Sequence, residues 1–188
     1  SLHDALPIFD CFSSKSFKFL TNLPSSINSF EIIIVGDYTI FSRSILGIFN
    51  ANMATVGNFT TAKHLLKAGM FATIHKFYTA EEIIKFMDEC QEEKIDYSNL
   101  FISIGIRNGT QEIEKLKDIE NSAKWFKQNI CIDAPNFYID KSYEVLKKCR
   151  EEFPESVIMC GNIASSDIIH KLLNHADILK IGIGSGAV

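Results

Sequence analysis

From Ile45 onward the chain alternates between short apolar runs and longer stretches whose apolar residues recur every three or four positions. The runs are Ile45–Asn50, Phe71–His75, Leu100–Ile104, Ile130–Asp133, Val157–Cys160 and Ile178–Ile181, and their starts are separated by 26, 29, 30, 27 and 21 residues. They are apolar on both parities rather than alternating, which is the pattern of strands buried on both faces of a parallel sheet.

The intervening stretches read as amphipathic helices. Phe59, Ala62, Leu65 and Leu66 share one face, and Gly69 can end that helix. Thr79 and Glu82 have the spacing of a capping box, ahead of Ile83, Ile84, Phe86 and Met87. Ile113, Leu116 and Ile119 recur behind Thr110. Asp140 is expected to cap a helix carrying Tyr143, Leu146 and Cys149, with Lys147, Lys148 and Arg150 in its last turns and Pro154 beyond. Ser165 or Ser166 is expected to cap the last helix, which carries Ile168, Ile169, Leu172 and Leu173.

Strand–helix alternation predicts an α/β fold with right-handed crossovers. An open doubly wound sheet and a closed (β/α)8 barrel both satisfy the spacing. A closed barrel takes roughly 250 residues, so the 188 residues here would hold about six of its eight βα units. Two regions follow: an irregular lead over residues 1–44, part of it unrelated to the domain, and the repeating region over residues 45–188. Within the lead, Glu31–Val35 and Tyr38–Phe41 flank Gly36-Asp37 and can form a hairpin against the barrel bottom or a neighbouring subunit. Both chain ends look cut, at Ser1 and at Val188.

Composition narrows the partners. Hydrophobic residues make up 46% and charged residues 22%, ordinary for a globular domain. Nineteen Lys and Arg against 23 Asp and Glu give a formal charge of -4, without the basic footprint of a nucleic-acid binder. No apolar run approaches the ~20 residues that span a bilayer, so no membrane partner is expected. Cys11, Cys90, Cys131, Cys149 and Cys160 are odd in number and form no C-x-x-C, which suits a reduced, cytoplasmic protein. His170 and His175 read as surface residues rather than zinc ligands.

In either architecture ligands bind at the carboxyl ends of the strands, and there the polar residues gather. Asn50 and Asn52, His75 and Lys76, Arg107 and Asn108, Asp133 and Asn136, Gly161 and Asn162, and Gly182, Gly184 and Gly186 end successive strands. Their convergence points to a small-molecule site, although each can also cap a helix or turn the chain. Gly182-Ile183-Gly184-Ser185-Gly186-Ala187 fits G-x-G-x-x-A. That fingerprint belongs on the first strand of its domain with an acidic residue ~20 positions on, and here it follows the sixth strand.

These strings resemble GMP reductases of the IMP dehydrogenase/GMP reductase family. Ala51-Asn52-Met53-Ala54-Thr55-Val56-Gly57 resembles their A-N-M-D-T-V-G, and Ile74-His75-Lys76-Phe77-Tyr78 their A-V-H-K-H-Y. Ile130-Cys131-Ile132-Asp133-Ala134-Pro135-Asn136 is similar to I-C-I-D-V-A-N. Phe153-Pro154 with Ile158-Met159-Cys160-Gly161-Asn162 is similar to F-P…I-M-A-G-N, and Ala176 to Gly186 to A-D-I-I-K-V-G-I-G-P-G.

The resemblance implies a TIM (β/α)8 barrel and NADPH-dependent reduction of GMP to IMP and ammonia in purine nucleotide salvage. There a cysteine thiolate adds to C2 of the purine, ammonia leaves, and hydride follows. It implies that Lys76, Asp133, Ala134, Pro135, Ile183 and Gly184 meet the cofactor, with Asp133 accepting from a ribose hydroxyl and Lys76 reaching the cofactor or moving a proton. Asn52 and Met53 are implied on the purine nucleotide, the carbonyls of Gly184 and Gly186 on potassium, and a homotetramer as the assembly.

The departures are specific. Ala54 stands for Asp, Pro135 for Ala, Phe77 for the second His, Ser185 for Pro and Ala187 for Ser. Phe137 stands for Gly, and its bulk is expected to hinder the cofactor. The family's nucleophilic cysteine and the Thr after it would follow Val188 directly, so this polypeptide contains no catalytic residue of that step and is expected to be inactive alone. Cys160 occupies a small-residue position and is no substitute. Two other readings stay open: a non-catalytic paralogue binding a nucleotide or a subunit of an active homologue, and an IMP dehydrogenase-like oxidoreductase.

Overall fold

Five of the six apolar runs fold as strands, four of them within one residue of their predicted bounds and the one at Val157 running on to Ile163, because each can bury both faces at once. The computed structural model describes residues 32–35 (backbone only), 49–123 and 128–182. In chain order these give β1 (Ile32–Val35), α1 (Phe59–Lys67), β2 (Ala72–Ile74), α2 (Ala80–Glu92), β3 (Leu100–Gly105), α3 (Gly109–Ser122), β4 (Asn129–Asp133) and α4 (Asp140–Glu152). They continue with β5 (Val157–Ile163), a 3-10 turn (Ser166–Ile168), α5 (Ile169–Leu172) and β6 (Ile178–Ile181). The run at Ile45–Asn50 contributes only a parallel bridge from Phe49 to Phe71 among the described residues.

The sheet order is β1-β6-β5-β4-β3-β2. β2 to β6 are parallel neighbours, one crossover helix apart, forming a curled partial barrel. β1 pairs antiparallel with β6, Ile32 opposite Ile181 and Val35 opposite Ile178. This places the first arm of the expected hairpin on the edge of β6. The return arm, Tyr38–Phe41, lies outside the described residues, as does the rest of the 1–44 lead.

One face of the sheet meets the helices. Ile74, Ile102, Ile104, Ile130, Ile132 and Leu179 pack there against Ile83, Phe86, Ile113, Leu116 and Leu146. The opposite, inner face carries a separate cluster of Phe71, Phe101, Cys131, Val157, Met159 and Ile178, with Phe49 stacked on Phe71 at 4.5 Å. The period-2 alternation of strand side chains makes this division.

Local signals set the helix ends. Thr79 accepts from the Glu82 amide and Glu82 accepts from the Thr79 amide, a complete capping box. Gly69 takes φ 70, which lets Met70 N–H reach the Leu65 carbonyl at 2.9 Å and closes α1 in a Schellman turn. Two expected caps are displaced. Asp140 is the first residue inside α4, with Ile139 at the cap and no side-chain cap bond; its carboxylate sits in the first turn, which also suits the helix dipole. Ser165 precedes a 3-10 turn without a side-chain bond, and the regular helix begins only at Ile169.

Candidate functional site

At the carboxyl ends of the parallel strands one inner-face row reads Gly105, Asp133, Gly161, Lys180, each opposite the next in register. Two lysines lie against the two glycines, and Gly161 leaves room that a side chain would fill. A Cβ at Gly105 would lie 3.4 Å from Lys76 Cδ, and one at Gly161 would lie 2.6 Å from Lys180 Cβ. Both lysines therefore converge on Asp133. Lys76 Nζ donates to Asp133 Oδ2 at 2.8 Å, and Lys180 Nζ lies 3.6 Å from Asp133 Oδ1. Lys180 also donates to Asn52 Oδ1 at 2.9 Å.

The segment carrying Asn52 is tied to the sheet. Asn50 donates to the Thr73 carbonyl at 2.8 Å and accepts from the Thr73 amide at 2.7 Å, so its side chain acts as one more ladder residue beside β2. Gly57 packs so closely that a Cβ there would lie 2.9 Å from the Thr73 carbonyl oxygen. Lys76 is held at its backbone: Lys115 on α3 donates to the Lys76 carbonyl at 3.1 Å and pairs with Glu112 at 2.9 Å. His75 stacks on Tyr78 at 4.0 Å, and Tyr78 stacks on Phe59 at 3.7 Å.

Electrostatics fix the state of Asp133. Burial alone would raise its carboxyl, but the hydrogen bonds from Lys76 and Asn52 and the charges of Lys180 and Lys76 outweigh it and hold the group below the usual carboxylate range. The His75 imidazole is lowered, mainly by burial. The site thus presents an ionised acceptor between two cations. Asn162, beside Gly161, adds a buried side-chain oxygen with no hydrogen-bond partner. An ionised carboxylate at the strand ends suits a ligand that donates hydrogen bonds.

The structure brings Asn52, Lys76 and Asp133 together. Ala134 is buried and Pro135 exposed in the loop after Asp133. The Ala134 amide donates to the Gly161 carbonyl and the Asn162 amide to the Ala134 carbonyl, both at 2.8 Å, so this loop is stitched to the end of β5. Met53 is 63% exposed. Ile183, Gly184 and Gly186 lie outside the described residues. The expectation that Phe137 intrudes on a ligand is corrected: its ring is 2% exposed and belongs to the helix-facing core, while its amide donates to the Asn162 carbonyl.

The four described cysteines, Cys90, Cys131, Cys149 and Cys160, are buried in the packing. Cys160 is fully buried, and burial pushes its thiol well above the ordinary value. Cys149 is raised to about 12 and Cys90 to about 11, again by burial. Among the described residues no set of three or more His, Cys, Asp and Glu side chains could hold a metal ion. His175 is less exposed than expected, its Nε2 lying 3.1 Å from the Tyr143 hydroxyl. No helix among the described residues is long and apolar enough to cross a membrane.

Sequence reasoning missed Lys180. It sits inside an apolar run, and the available signal was its parity: in Ile178-Leu179-Lys180-Ile181, Lys180 shares a face with Ile178, two residues along the inner side of β6.

The family model described as the IMP dehydrogenase / GMP reductase domain matches residues 39–188. The chain is 36% identical over 142 residues to a GMP reductase of Onchocerca volvulus, covering 75% of this chain and 38% of that protein. It is 37% identical over 145 residues to GMP reductase 2 of Bos taurus, covering 75% and 39% respectively. The chain therefore spans about two-fifths of the length of these relatives. Among solved structures, inosine 5' monophosphate dehydrogenase from Legionella pneumophila shares the fold, with a TM-score of 0.60 and 22% identity over 90% of this chain and 48% of that one. A family match across most of the chain, with the matched motifs meeting at one end of a partial TIM barrel, shows that this chain belongs to the IMP dehydrogenase/GMP reductase family.

Proposed function

We propose that this chain forms the cofactor-side part of an NADPH-dependent GMP reductase, an oxidoreductase that converts GMP to IMP and ammonia in cytoplasmic purine salvage. One observation carries the reading: Asp133, from the I-C-I-D string, is held ionised by Lys76 of the H-K string at 2.8 Å, beside Asn52 of the A-N-M string.

When bound, NADPH supplies the hydride that C2 of the purine accepts. The Asp133 carboxylate would accept hydrogen bonds from the nicotinamide ribose hydroxyls. Lys76 would exchange its bond to Asp133 for the cofactor, or donate a proton at its Nζ. Ala134, Pro135, Ile183 and Gly184 would line the cofactor side, and Asn52 and Met53 the purine side. The carbonyls of Gly184 and Gly186 would hold potassium. The nucleophile belongs to the position directly after Val188, and the assembly is a homotetramer of complete barrels.

The test is GMP-dependent oxidation of NADPH, followed for the 188-residue chain and for a polypeptide continuing through the cysteine. Oxidation by the longer protein and none by the 188 residues is the expected result. Turnover by the 188 residues alone would overturn the placement of the nucleophile. A longer protein that instead reduces NAD with IMP would overturn the reductase reading in favour of the dehydrogenase branch.

A further inference from the structure

Two lysines face one carboxylate here, and their surroundings differ. Lys180 has a side chain 5% exposed, threaded past Gly161, with its ammonium at 2.9 Å from Asn52 Oδ1 and 3.6 Å from Asp133 Oδ1. Lys76 has a side chain 29% exposed and lies across Gly105 with slack, the nearest approach being 3.4 Å to a notional Cβ there. Its backbone, not its ammonium, is what Lys115 anchors. A buried ammonium cannot leave its partners without stranding a charge in the protein interior, whereas a third-exposed one can return to water at small cost.

We propose that Lys180 is a positioning residue: a fixed cation that locks Asp133 and Asn52 into one arrangement across the barrel mouth, leaving Lys76 as the exchangeable partner that gives way to a ligand. The two lysines thereby divide two tasks that one could not perform. If Lys76 were the only countercharge, its departure toward a ligand would leave the half-buried carboxylate uncompensated and drive it to take a proton. With Lys180 and Asn52 remaining, Asp133 stays ionised and stays aimed. The other charged or titratable groups packed near this end are His75, at the end of β2, and the Lys115–Glu112 pair, which faces the Lys76 backbone from α3. Among the described residues the compensation at the Asp133 carboxylate comes from Lys76, Asn52 and Lys180.

The proposal deepens the cofactor reading above, and its test has a readout independent of it. In the ligand-free 188-residue chain, the Asn52 side-chain amide and the Asp133 carboxylate carbon are followed by NMR in the wild type and in Lys180→Met, Lys180→Arg and Lys76→Met. The Asn52 and Asp133 signals should move or broaden in Lys180→Met, return toward wild type in Lys180→Arg, and stay in place for Asn52 in Lys76→Met. NADPH titration then reads the consequence: Lys180→Met should weaken binding roughly tenfold or more, the loss expected for one hydrogen-bond array to a charged group, with Lys180→Arg recovering most of it. Should Lys180→Met leave the Asn52 signals unchanged, or Lys76→Met displace Asn52 as strongly, the division of labour is wrong. If the wild type itself binds no NADPH while the NMR pattern holds, the cofactor reading fails and the positioning role stands. Should Lys180→Met not fold, the comparison of Lys180→Arg with Lys76→Met decides: a displaced Asn52 in Lys76→Met alone overturns the proposal.

Discussion

The two faces of the sheet use the same strands for opposite ends. Toward the helices, β2 to β6 offer apolar side chains, and Ile74, Ile102, Ile104, Ile130, Ile132 and Leu179 are all 0% exposed. On the inner face the chemistry changes within a few residues. Phe71, Phe101 and Met159 pack together near one end, and the row Gly105, Asp133, Gly161 and Lys180 lies at the other. The first face can be filled by almost any aliphatic set of the right volume. The second depends on particular residues, because a side chain at Gly161 would collide with the lysine that reaches the carboxylate from β6. A substitution on the first face should therefore be read in stability and one at the rim in geometry.

The largest effect is expected from Ile102→Ala, which empties a fully buried position on the helix side of β3. It should cost about 2–5 kcal/mol in urea or thermal unfolding, while the Asn52 amide signal of the remaining folded protein stays in place. A shift of that signal would mean the faces are coupled. Gly161→Ala comes next. The new methyl would stand 2.6 Å from Lys180 Cβ and 2.7 Å from the Lys180 carbonyl oxygen, so backbone must move. A loss of about 1–3 kcal/mol is expected, now together with disruption of the Lys180–Asn52 contact.

Asp133→Asn sharpens the same contrast through pH. Because the folded-state carboxyl is held below its ordinary value, its partners stabilise the fold fully above the unfolded pKa of ~3.9, and that contribution disappears as pH falls through the lower folded value. The stability difference between wild type and Asp133→Asn should therefore be constant from neutral pH down to about 5 and shrink below about 4. A difference that grows on acidification would mean that the carboxyl is not held low. The smallest effect belongs to Thr79→Ala, which touches neither face. It removes the hydroxyl that accepts from the Glu82 amide and should cost about 1 kcal/mol, with the rim signals unmoved.

Local features were legible from the sequence wherever one residue type had one available job. The Thr79–Glu82 box, the Gly69 stop and the strands at Leu100, Ile130, Val157 and Ile178 fall where the pattern puts them. So do Asn52, Lys76 and Asp133 as strand-end residues, which the structure assembles into one cluster. Asp140 and Ser165 were less legible because a short polar side chain near a helix start can sit at the cap or inside the first turn with similar ease. Phe137 reads as bulk in a ligand loop, and only packing shows that its ring turns into the helix-side core. Lys180 reads as an interruption of an apolar strand, since a lysine's partners are brought to it by two other chain segments, 128 residues away in the case of Asn52.

The sequence by itself determined the repeating strand and helix units, the residues each unit would bury and the polar groups at each strand end, because these follow from side-chain periodicity and local capping. What only the tertiary structure decided is which of those groups meet. Strand register sets Gly105, Asp133, Gly161 and Lys180 side by side, and the curl of the sheet carries Lys76 and Asn52 onto the same carboxylate. Charges that lie far apart along the chain acquire a common low-dielectric setting only after folding, and there their mutual distances, rather than their identities, fix what they can bind.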